Sequence, residues 1–413
     1  MNLTTVPSRK ARACVRLLPF RAVRYDPAQA GQLSAVLSPP HDDMSPAYAR
    51  AQRARPHHIA RLLYSPAPRD AAGQLARWLE RGVLRRDPEP SLYVYEQRLG
   101  PRLLQRGIIG ELAVTGADAG PVLPHEDVQE HVVRQRAAHL NGLRAQLEPL
   151  LLTHRSGGAA GRRLEEWASE HPRVAAARLD GVTHHLWRCT DPAEQEFLTS
   201  GLGARRIPLL ADGHHRLAAS RRLSRRRGGL PWMRNLALLV DSASTPLRLR
   251  PIHRLLPGLE AAKAARAASG VARVRSLPSG PRPPRPGELV LAGDGGAWSV
   301  TDPQPSALSE AMAGLPEQWR GEPAAVTDRL LITSCWSVPD LPGAVVHVHD
   351  ADRAVAAVAR QGAGTAVLLP TPTENGIRDL AEQGVLLPRK STSFGPKPAV
   401  GLVMRVLPRH APD

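Results

Sequence analysis

The spacing of apolar residues in the first half of the chain predicts a β-hairpin followed by a long helix. Tyrosine and valine alternate with polar residues in Ser91–Leu99, and Arg106–Gly116 has the same strand pattern. The short connection between them contains glycine and proline, which is typical of a hairpin. In Glu126–Leu152 the apolar residues recur at steps of three and four, which is the period of an amphipathic helix.

The remainder of the chain alternates between the same two periods. Strands are predicted at residues 182–189, 206–211 and 234–243, and helices at residues 162–170, 191–202 and about 217–226. Asp191 precedes Pro192 in the manner of a helix cap. Strand and helix patterns also alternate at residues 344–350, 351–362, 365–370 and 373–384. We therefore expect an α+β fold of mixed α/β type.

Proline divides the chain into two regions. Residues 276–288 contain five prolines, which do not fit the interior of a helix or sheet, so this stretch is predicted to be a linker or a long loop. We expect residues 1–275 to form a core that carries the chemistry described below. Residues 289–413 are expected to form a C-terminal α/β region packed on that core.

The net charge of +17 allows two interpretations. A nucleic-acid-binding protein could carry it, but so could a chain whose coding favours arginine over lysine on solvated faces. The sequence contains no zinc-finger spacing, no RNA-binding signature and no basic block with interleaved aromatic residues. Nucleic acid is therefore a possible partner but is not favoured.

Cysteine use and hydropathy indicate the compartment. Cys14, Cys189 and Cys335 are isolated and odd in number, which fits a reducing environment better than a disulfide framework. The longest apolar runs are too short to cross a bilayer, and no signal peptide is recognisable. We expect a cytoplasmic protein without a membrane partner.

The candidate chemistry is concentrated in Asp212–Arg216, between a predicted strand and a predicted helix. Backbone N–H groups are unsatisfied at a helix start, and the helix dipole is positive there, so anions bind well. Gly213 lets the backbone approach an anion, and Arg216 can clamp a phosphate. His214 and His215 can shuttle a proton, and Asp212 can act as a base or hold a divalent cation. Helix capping would explain Asp212 alone.

Polar side chains in other segments extend this list. His125 and Glu126 stand at a helix start, where acids often satisfy only the dipole, and Arg136 lies further along the same predicted helix. The loop Lys390–Lys397 gathers Lys390, Ser391, Thr392 and Lys397, which suit a phosphate or a carboxylate.

The sequence contains no recognisable cofactor-binding signature. His41, Asp42 and Asp43 have side chains that can bind metals, but they lack zinc-ligand spacing. Glycine-rich phosphate loops of the G-x-G-x-x-G and Walker types are absent, as are haem, flavin and zinc signatures.

Taken together, these segments resemble the family called domain of unknown function 1015. Ten of its motifs occur here in order, among them A-D-G-H-H-R and K-S-T-x-F-x-P-K. The matching segments are Pro19–Tyr25, Pro39–Asp43, Arg55–Leu62, Tyr93–Gln97, Gly107–Gly110, His125–Val128 with Arg136, Gly181–Trp187, Ala211–Arg216, Pro251–Leu256 and Leu387–Lys397.

The family's A-D-G-H-H-R is similar to the phosphate-cradling turn of the ParB/sulfiredoxin superfamily, which includes DNA-partition nucleotidases and free-serine kinases. The resemblance implies a ParB/sulfiredoxin-like core around this turn, with further α/β elements in the C-terminal third. Sulfiredoxin chemistry needs a cysteine in the turn, and His214 or Asp212 stands there instead. Family genes often lie beside serine-biosynthesis genes, which implies serine or phosphoserine chemistry.

Several positions depart from the family pattern. His41 replaces a tyrosine, Asp43 replaces a valine, and Val128 replaces the threonine of H-E-x-T. The lysine and aspartate that usually precede the downstream arginine are replaced by Val133 or Arg134 and by Gln135. D-G-H-H-R and K-S-T are intact, so the resemblance implies that anion binding is retained. The departures bear on substrate specificity and on catalysis.

The leading hypothesis is an enzyme of phosphoryl transfer or phosphate-ester hydrolysis on a small metabolite such as serine or phosphoserine. Asp212, His214, His215, His125 and Glu126 would be its catalytic groups. The groups that bind phosphate or substrate would be Gly213, Arg216, Arg136, Lys390, Ser391, Thr392, Lys397 and Asp42. Mg²⁺ and ATP or ADP are the cofactors that this chemistry suggests.

Two alternatives stay open. The first is a nucleotide- or DNA-binding regulator of ParB type, and the second is a catalytically degenerate family member that acts as a partner subunit.

Overall fold

The computed structural model describes residues 15–40, 46–116, 119–156, 158–203, 207–361 and 364–408. The strands in chain order are β1 (Leu17–Leu18), β2 (Val23–Tyr25), β3 (Leu84–Arg86), β4 (Leu92–Leu99), β5 (Arg102–Ala113), β6 (Ala145–Gln146), β7 (Leu150–His154), β8 (Ala175–Leu179), β9 (Val182–Cys189), β10 (Leu209–Asp212), β11 (Arg234–Asp241), β12 (Arg248–Pro251), β13 (His253–Pro257), β14 (Arg273–Ser276), β15 (Leu289–Gly293), β16 (Gly296–Thr301), β17 (Val346–Val348), β18 (Gly364–Leu368), β19 (Thr392–Gly395) and β20 (Arg405–Val406).

The α-helices are α1 (Pro27–Ala30), α2 (Leu33–Val36), α3 (Pro46–Ala54), α4 (Ala60–Leu63), α5 (Pro68–Glu80), α6 (Glu130–Leu143), α7 (Ala159–Glu170), α8 (Pro192–Gly203), α9 (His214–Arg227), α10 (Leu230–Met233), α11 (Ala261–Ala268), α12 (Pro305–Ala311), α13 (Pro323–Ala325), α14 (Ala351–Gln361) and α15 (Glu374–Glu382). A 3₁₀ helix spans Glu317–Gly321, and a π-helix spans Val326–Cys335. Among the described residues, no helix has both the length and the apolar character needed to cross a membrane.

The chain forms two compact units of mixed α/β structure, which confirms the predicted fold class. The first contains the described residues of Met1–Pro124, Val128–Leu247 and Pro396–Asp413. The second contains His125–Asp127 and Arg248–Gly395. The ParB/sulfiredoxin-like core stays a prediction.

The first unit is built around one large sheet with the strand order β10-β7-β11-β5-β4-β9-β8. Strands β7 and β11 are parallel, and the other neighbours are antiparallel. Leu152 and Leu239 of the sheet pack with Leu164 of α7 and Leu198 of α8 in the main apolar cluster. A smaller cluster packs α6 against α9, so the burial of apolar faces fixes the helix that carries Arg216.

The second unit is a separate antiparallel sheet with the order β14-β16-β15-β18-β13-β17. One cluster joins the sheet to α11 and the π-helix, and another joins it to α14. The proline-rich stretch connects β14 to β15 within this sheet. It forms no regular element of its own, because proline lacks the N–H group that helices and sheets require.

The predicted hairpin is confirmed, since β4 and β5 pair antiparallel with Tyr93 opposite Ile109. The long helix predicted at Glu126–Leu152 is wrong in its extent. Helix α6 begins at Glu130, so His125 and Glu126 precede it instead of standing at its start. It ends at Leu143, and Arg144 follows in the left-handed region at φ 56°. Leu150–His154 is a fully buried strand instead. A short run of leucines suits a buried helix and a buried strand equally, so spacing alone did not distinguish them.

Candidate functional site

The D-G-H-H-R turn joins strand β10 to helix α9. Gly213 has φ 103°, and a Cβ at this position would lie 2.7 Å from Cδ2 of Leu150. The turn therefore requires glycine, both for its backbone conformation and for the space around it. Because Gly213 completes the turn in one residue, α9 begins at His214 rather than near Leu217 as predicted. The two histidines and Arg216 thus occupy the first turn of the helix.

The carboxylate of Asp212 lies between two cations. Its Oδ2 accepts a hydrogen bond from Nη2 of Arg216 at 2.5 Å, and its Oδ1 lies 2.7 Å from Nζ of Lys397. The Lys397 side chain is only 15% exposed, and burial lowers the pKa of Lys397 to about 8. Contact with the carboxylate acts in the opposite direction, because it favours the charged ammonium. The arrangement is an acid and a base in direct contact next to a helix start.

The guanidinium of Arg216 is used largely for protein contacts. Its Nη1 donates to the carbonyl oxygens of Glu148 at 3.2 Å and Pro149 at 2.8 Å, and it lies 3.4 Å from Oε2 of Glu148. In this arrangement Arg216 anchors the Asp212 carboxylate to the segment that precedes β7. Its predicted role as a phosphate ligand stays a prediction.

His215 connects the starts of two helices. The backbone N–H of Gln129, directly before α6, donates to Nε2 of His215 at 3.1 Å. This nitrogen is therefore the unprotonated one, and the ring proton of the neutral imidazole resides on Nδ1. His214 is half-buried in the same turn. The catalytic roles of both histidines stay predictions.

A buried network holds the main chain that carries Lys397. The side-chain amide of Gln97 donates to the carbonyl of Lys397 at 2.9 Å and to the hydroxyl of Tyr95 at 2.8 Å. That hydroxyl also accepts from the N–H of Ala399 at 3.1 Å and lies 2.7 Å from Nδ1 of His184. Burial lowers the pKa of His184 to about 4, so its imidazole is neutral and Nδ1 can accept from Tyr95.

Sequence reasoning did not select Tyr95, Gln97 or His184 as candidates. The available signal was a glutamine at the end of a strand that is otherwise rich in tyrosine and valine. A buried amide must find partners, and here one of them lies 300 residues away.

The second unit brings the H-E and K-S-T segments together. Nε2 of His125 lies 2.9 Å from Oγ1 of Thr392. Oε1 of Glu126 accepts from the N–H of Lys390 at 3.1 Å, and Ser391 Oγ donates to the carbonyl of Pro388 at 2.5 Å. Lys390 has φ 60°, which is unusual for a residue with a side chain. The Glu126 contact thus supports a strained loop.

Arg254 also supports this loop, although the sequence did not single it out. Its side chain is fully buried and forms a two-pronged ion pair with Asp328, at 2.8 and 2.9 Å. It also donates to the carbonyls of Ile252 at 2.6 Å and Lys390 at 3.0 Å. The guanidinium therefore ties β13 to the π-helix and to the loop.

A comparison with protein-family models finds one match, over residues 17–321. The chain belongs to this family, described as "Protein of unknown function (DUF1015)". A comparison with curated proteins finds no match for this DUF1015 protein.

Solved structures resemble the DUF1015 chain only distantly. A free serine kinase in complex with AMP is 15% identical at a TM-score of 0.38, and the match covers 68% of this chain and 88% of that one. A conserved hypothetical protein from Pyrococcus furiosus is 14% identical at 0.37, over 68% and 90%. SbnI from Staphylococcus aureus, with a C-terminal truncation, is 9% identical at 0.38, over 70% and 82%. Similarity of this size does not indicate a shared function.

The predicted site residues of the DUF1015 chain fall into two groups, one in each unit. The first unit holds Asp212, Gly213, His214, His215, Arg216, Arg136 and Lys397, and the second holds His125, Glu126, Lys390, Ser391 and Thr392. His41, Asp42 and Asp43 lie outside the described residues.

No metal centre is visible in the part of the chain that the structure describes, where no group of three or more His, Cys, Asp or Glu could hold an ion. Asp212 itself is already paired with two cations. The use of Mg²⁺ stays a prediction, since this cation is usually held by one or two carboxylates together with substrate phosphates.

Proposed function

We propose that the protein catalyses phosphoryl transfer on a small hydroxyl-bearing metabolite of the serine type, with Asp212 as the central catalytic group. The observation that carries this proposal is the position of its carboxylate, held between Lys397 and Arg216 at the start of α9. Phosphoryl transfer requires positioning and positive charge more than covalent chemistry. A carboxylate, a partly buried ammonium and the N–H groups of a helix start supply these elements within one site.

Each group has a role in the proposed reaction. Asp212 accepts the proton of the metabolite hydroxyl while its oxygen attacks phosphorus, and the bond from phosphorus to the leaving nucleotide oxygen breaks. Lys397 neutralises charge on the transferred group. The N–H groups that follow Gly213 bind phosphate oxygens, and His214 exchanges a proton with solvent or product. Each step is assigned to a residue of the chain, and none to a metal.

Hydrolysis of a phosphate ester uses the same groups with water in place of the metabolite hydroxyl. We therefore include phosphoserine as a substrate in the test. The ParB-type regulatory role and the degenerate-subunit role stay predictions.

The test is a product assay on the full chain. The protein is incubated with ATP or ADP plus serine, and separately with phosphoserine, and ³¹P NMR follows the phosphorylated species. We expect Asp212→Asn to lower turnover by about 10²–10⁴-fold, the usual contribution of a general base. Lys397→Met should also lower it strongly. Asp70→Asn and Lys263→Met remove the same charges at exposed positions and should leave turnover unchanged.

Two results would contradict the proposal. One is the absence of any transfer or hydrolysis by the unmodified protein. The other is an Asp212→Asn variant that turns over as fast as Asp70→Asn.

A further inference from the structure

A cavity with both apolar and polar walls lies between helices α6 and α9 in the first unit. Its volume is about 60 Å³. By the same measure one water occupies roughly 10–15 Å³, so the cavity has room for a molecule of a few non-hydrogen atoms. The polar part of its lining consists of Arg136, His139, Gln146, Glu148, Arg216, Ser220 and Asn235.

Most of the polar lining is already paired within the protein. Nδ2 of Asn235 donates to Oγ of Ser220 at 2.7 Å. Arg216 contacts the side chain and the carbonyl of Glu148. These residues form closed pairs, so they account for the walls of the cavity but do not require a ligand.

Two groups differ from this pattern. Nε2 of His139 is buried and has no hydrogen-bond partner. Arg136 makes no hydrogen bond or ion pair within the described ranges, although it lines the same cavity and acts electrostatically on His139. A buried polar atom without a partner costs stability, so proteins retain one where something else supplies the bond.

The charge of the cavity indicates which ligand would supply it. Arg216 is balanced by Glu148 and Asp212, whereas Arg136 adds a positive charge and forms no ion pair with a carboxylate of the described residues. Burial and the nearby Arg136 lower the pKa of His139, against the opposing charge of Glu148, which favours the neutral ring. In the tautomer with its proton on Nε2, this imidazole is a hydrogen-bond donor toward the cavity, as the guanidinium is.

We propose that this cavity binds a small molecule through a carboxylate or phosphate group held by Arg136 and His139. Arg216 forms one wall, and the same guanidinium holds the Asp212 carboxylate. A ligand in the cavity would therefore lie next to Arg216, the residue that orients Asp212. The inference concerns binding alone and does not depend on the proposed reaction.

The test measures thermal unfolding of the full chain with inorganic phosphate or with acetate, at constant ionic strength set with chloride. A ligand that binds only the native state raises the melting temperature in a saturable manner. We expect saturation with one of the two anions, which also identifies the ligand group. Arg136→Gln should weaken the apparent affinity at least tenfold.

A matched control separates binding from general screening of charge. Arg134 lies on the same helix but is exposed, so Arg134→Gln removes an equal charge outside the cavity. It should leave the affinity unchanged. Equal weakening in both variants, or no saturable effect of either anion on the unmodified protein, would overturn the proposal.

A second variant distinguishes a binding role of His139 from a structural one. His139→Phe fills the cavity and removes the unpaired nitrogen, so we expect the melting temperature to hold or rise while anion binding is lost. A lower melting temperature with binding retained would show that the imidazole is structural. Lys397→Met changes a residue outside the cavity lining, so this variant should still bind the anion. That result is expected whether or not the protein catalyses the proposed reaction.

Discussion

Replacement of Gly213 by alanine tests how the tertiary structure constrains the D-G-H-H-R turn. A residue with a Cβ pays about 1–2 kcal/mol in the left-handed region. The new methyl group would also lie 2.7 Å from Leu150 Cδ2, in a packed strand, and overpacking of this kind costs about 1–3 kcal/mol. The two effects together predict a loss of about 2–5 kcal/mol in the free energy of unfolding.

Gly158 provides a matched control at the start of α7. Like Gly213, it directly precedes a helix in the left-handed region, at φ 91°, but a Cβ there would make only an ordinary contact, 3.6 Å from Nη1 of Arg162. Gly158→Ala should therefore cost only the backbone term, about 1–2 kcal/mol. Both substitutions reduce the freedom of the unfolded chain equally. The difference between the two variants, about 1–3 kcal/mol, isolates the contact with Leu150.

Urea unfolding followed by far-ultraviolet circular dichroism measures both variants. At an unchanged slope with urea, the shift of the midpoint reports the change in stability. The reasoning is refuted if Gly213→Ala is no less stable than Gly158→Ala. That result would mean that Leu150 moves aside without cost and that the turn does not require glycine for reasons of space.

Three further predictions concern the supports of the two sites. Gln97→Leu should lower the free energy of unfolding in urea by about 1–3 kcal/mol, because it leaves the Lys397 carbonyl without its buried donor. An unchanged urea midpoint would contradict this prediction. Arg254→Met should lower the free energy of unfolding by about 3 kcal/mol, because Asp328 loses its partner but remains 29% exposed. The double variant with Asp328→Leu should recover part of this stability, as measured by thermal melting. Burial disfavours the charged ammonium of Lys397 in the folded state, where its pKa is about 8, compared with 10.5 in the unfolded chain. The resulting loss of folding stability is therefore complete below pH 8 and is relieved as the pH rises toward 10.5. The stability of the unmodified protein relative to Lys397→Met should accordingly increase from pH 7.5 to 9.5. An unchanged difference over this range would show that Asp212 keeps Lys397 charged.

Features with local causes could be predicted from the sequence. The hairpin of β4 and β5 follows from alternation over a few residues and a short connection. The start of α8 follows from Asp191, whose carboxylate accepts from the N–H of Glu194 at 2.9 Å. In the same way, the position of glycine between a strand pattern and a helix pattern predicted the turn that joins β10 to α9. Anion binding at this turn stays a prediction.

Features without a local cause were missed or misplaced. Leu150–His154 is a strand because it pairs with β11, which lies about 80 residues further along the chain, and no periodicity within the leucine run shows this pairing. Arg254 is buried because Asp328 and the Lys390 loop surround it. It lies in the matched segment Pro251–Leu256, but that resemblance gave no indication that the guanidinium is buried.

The sequence alone determined that a glycine-containing turn separates a strand from a helix after β10, because strand alternation, helical periodicity and the conformational freedom of glycine are local properties. Only the tertiary structure decided that Asp212 meets Lys397 and that Glu126 meets Lys390. Contacts between residues 185 or 264 positions apart arise when sheets and helices bury their apolar faces. The side chains brought together in this way are set by packing across the whole unit and not by spacing along the chain.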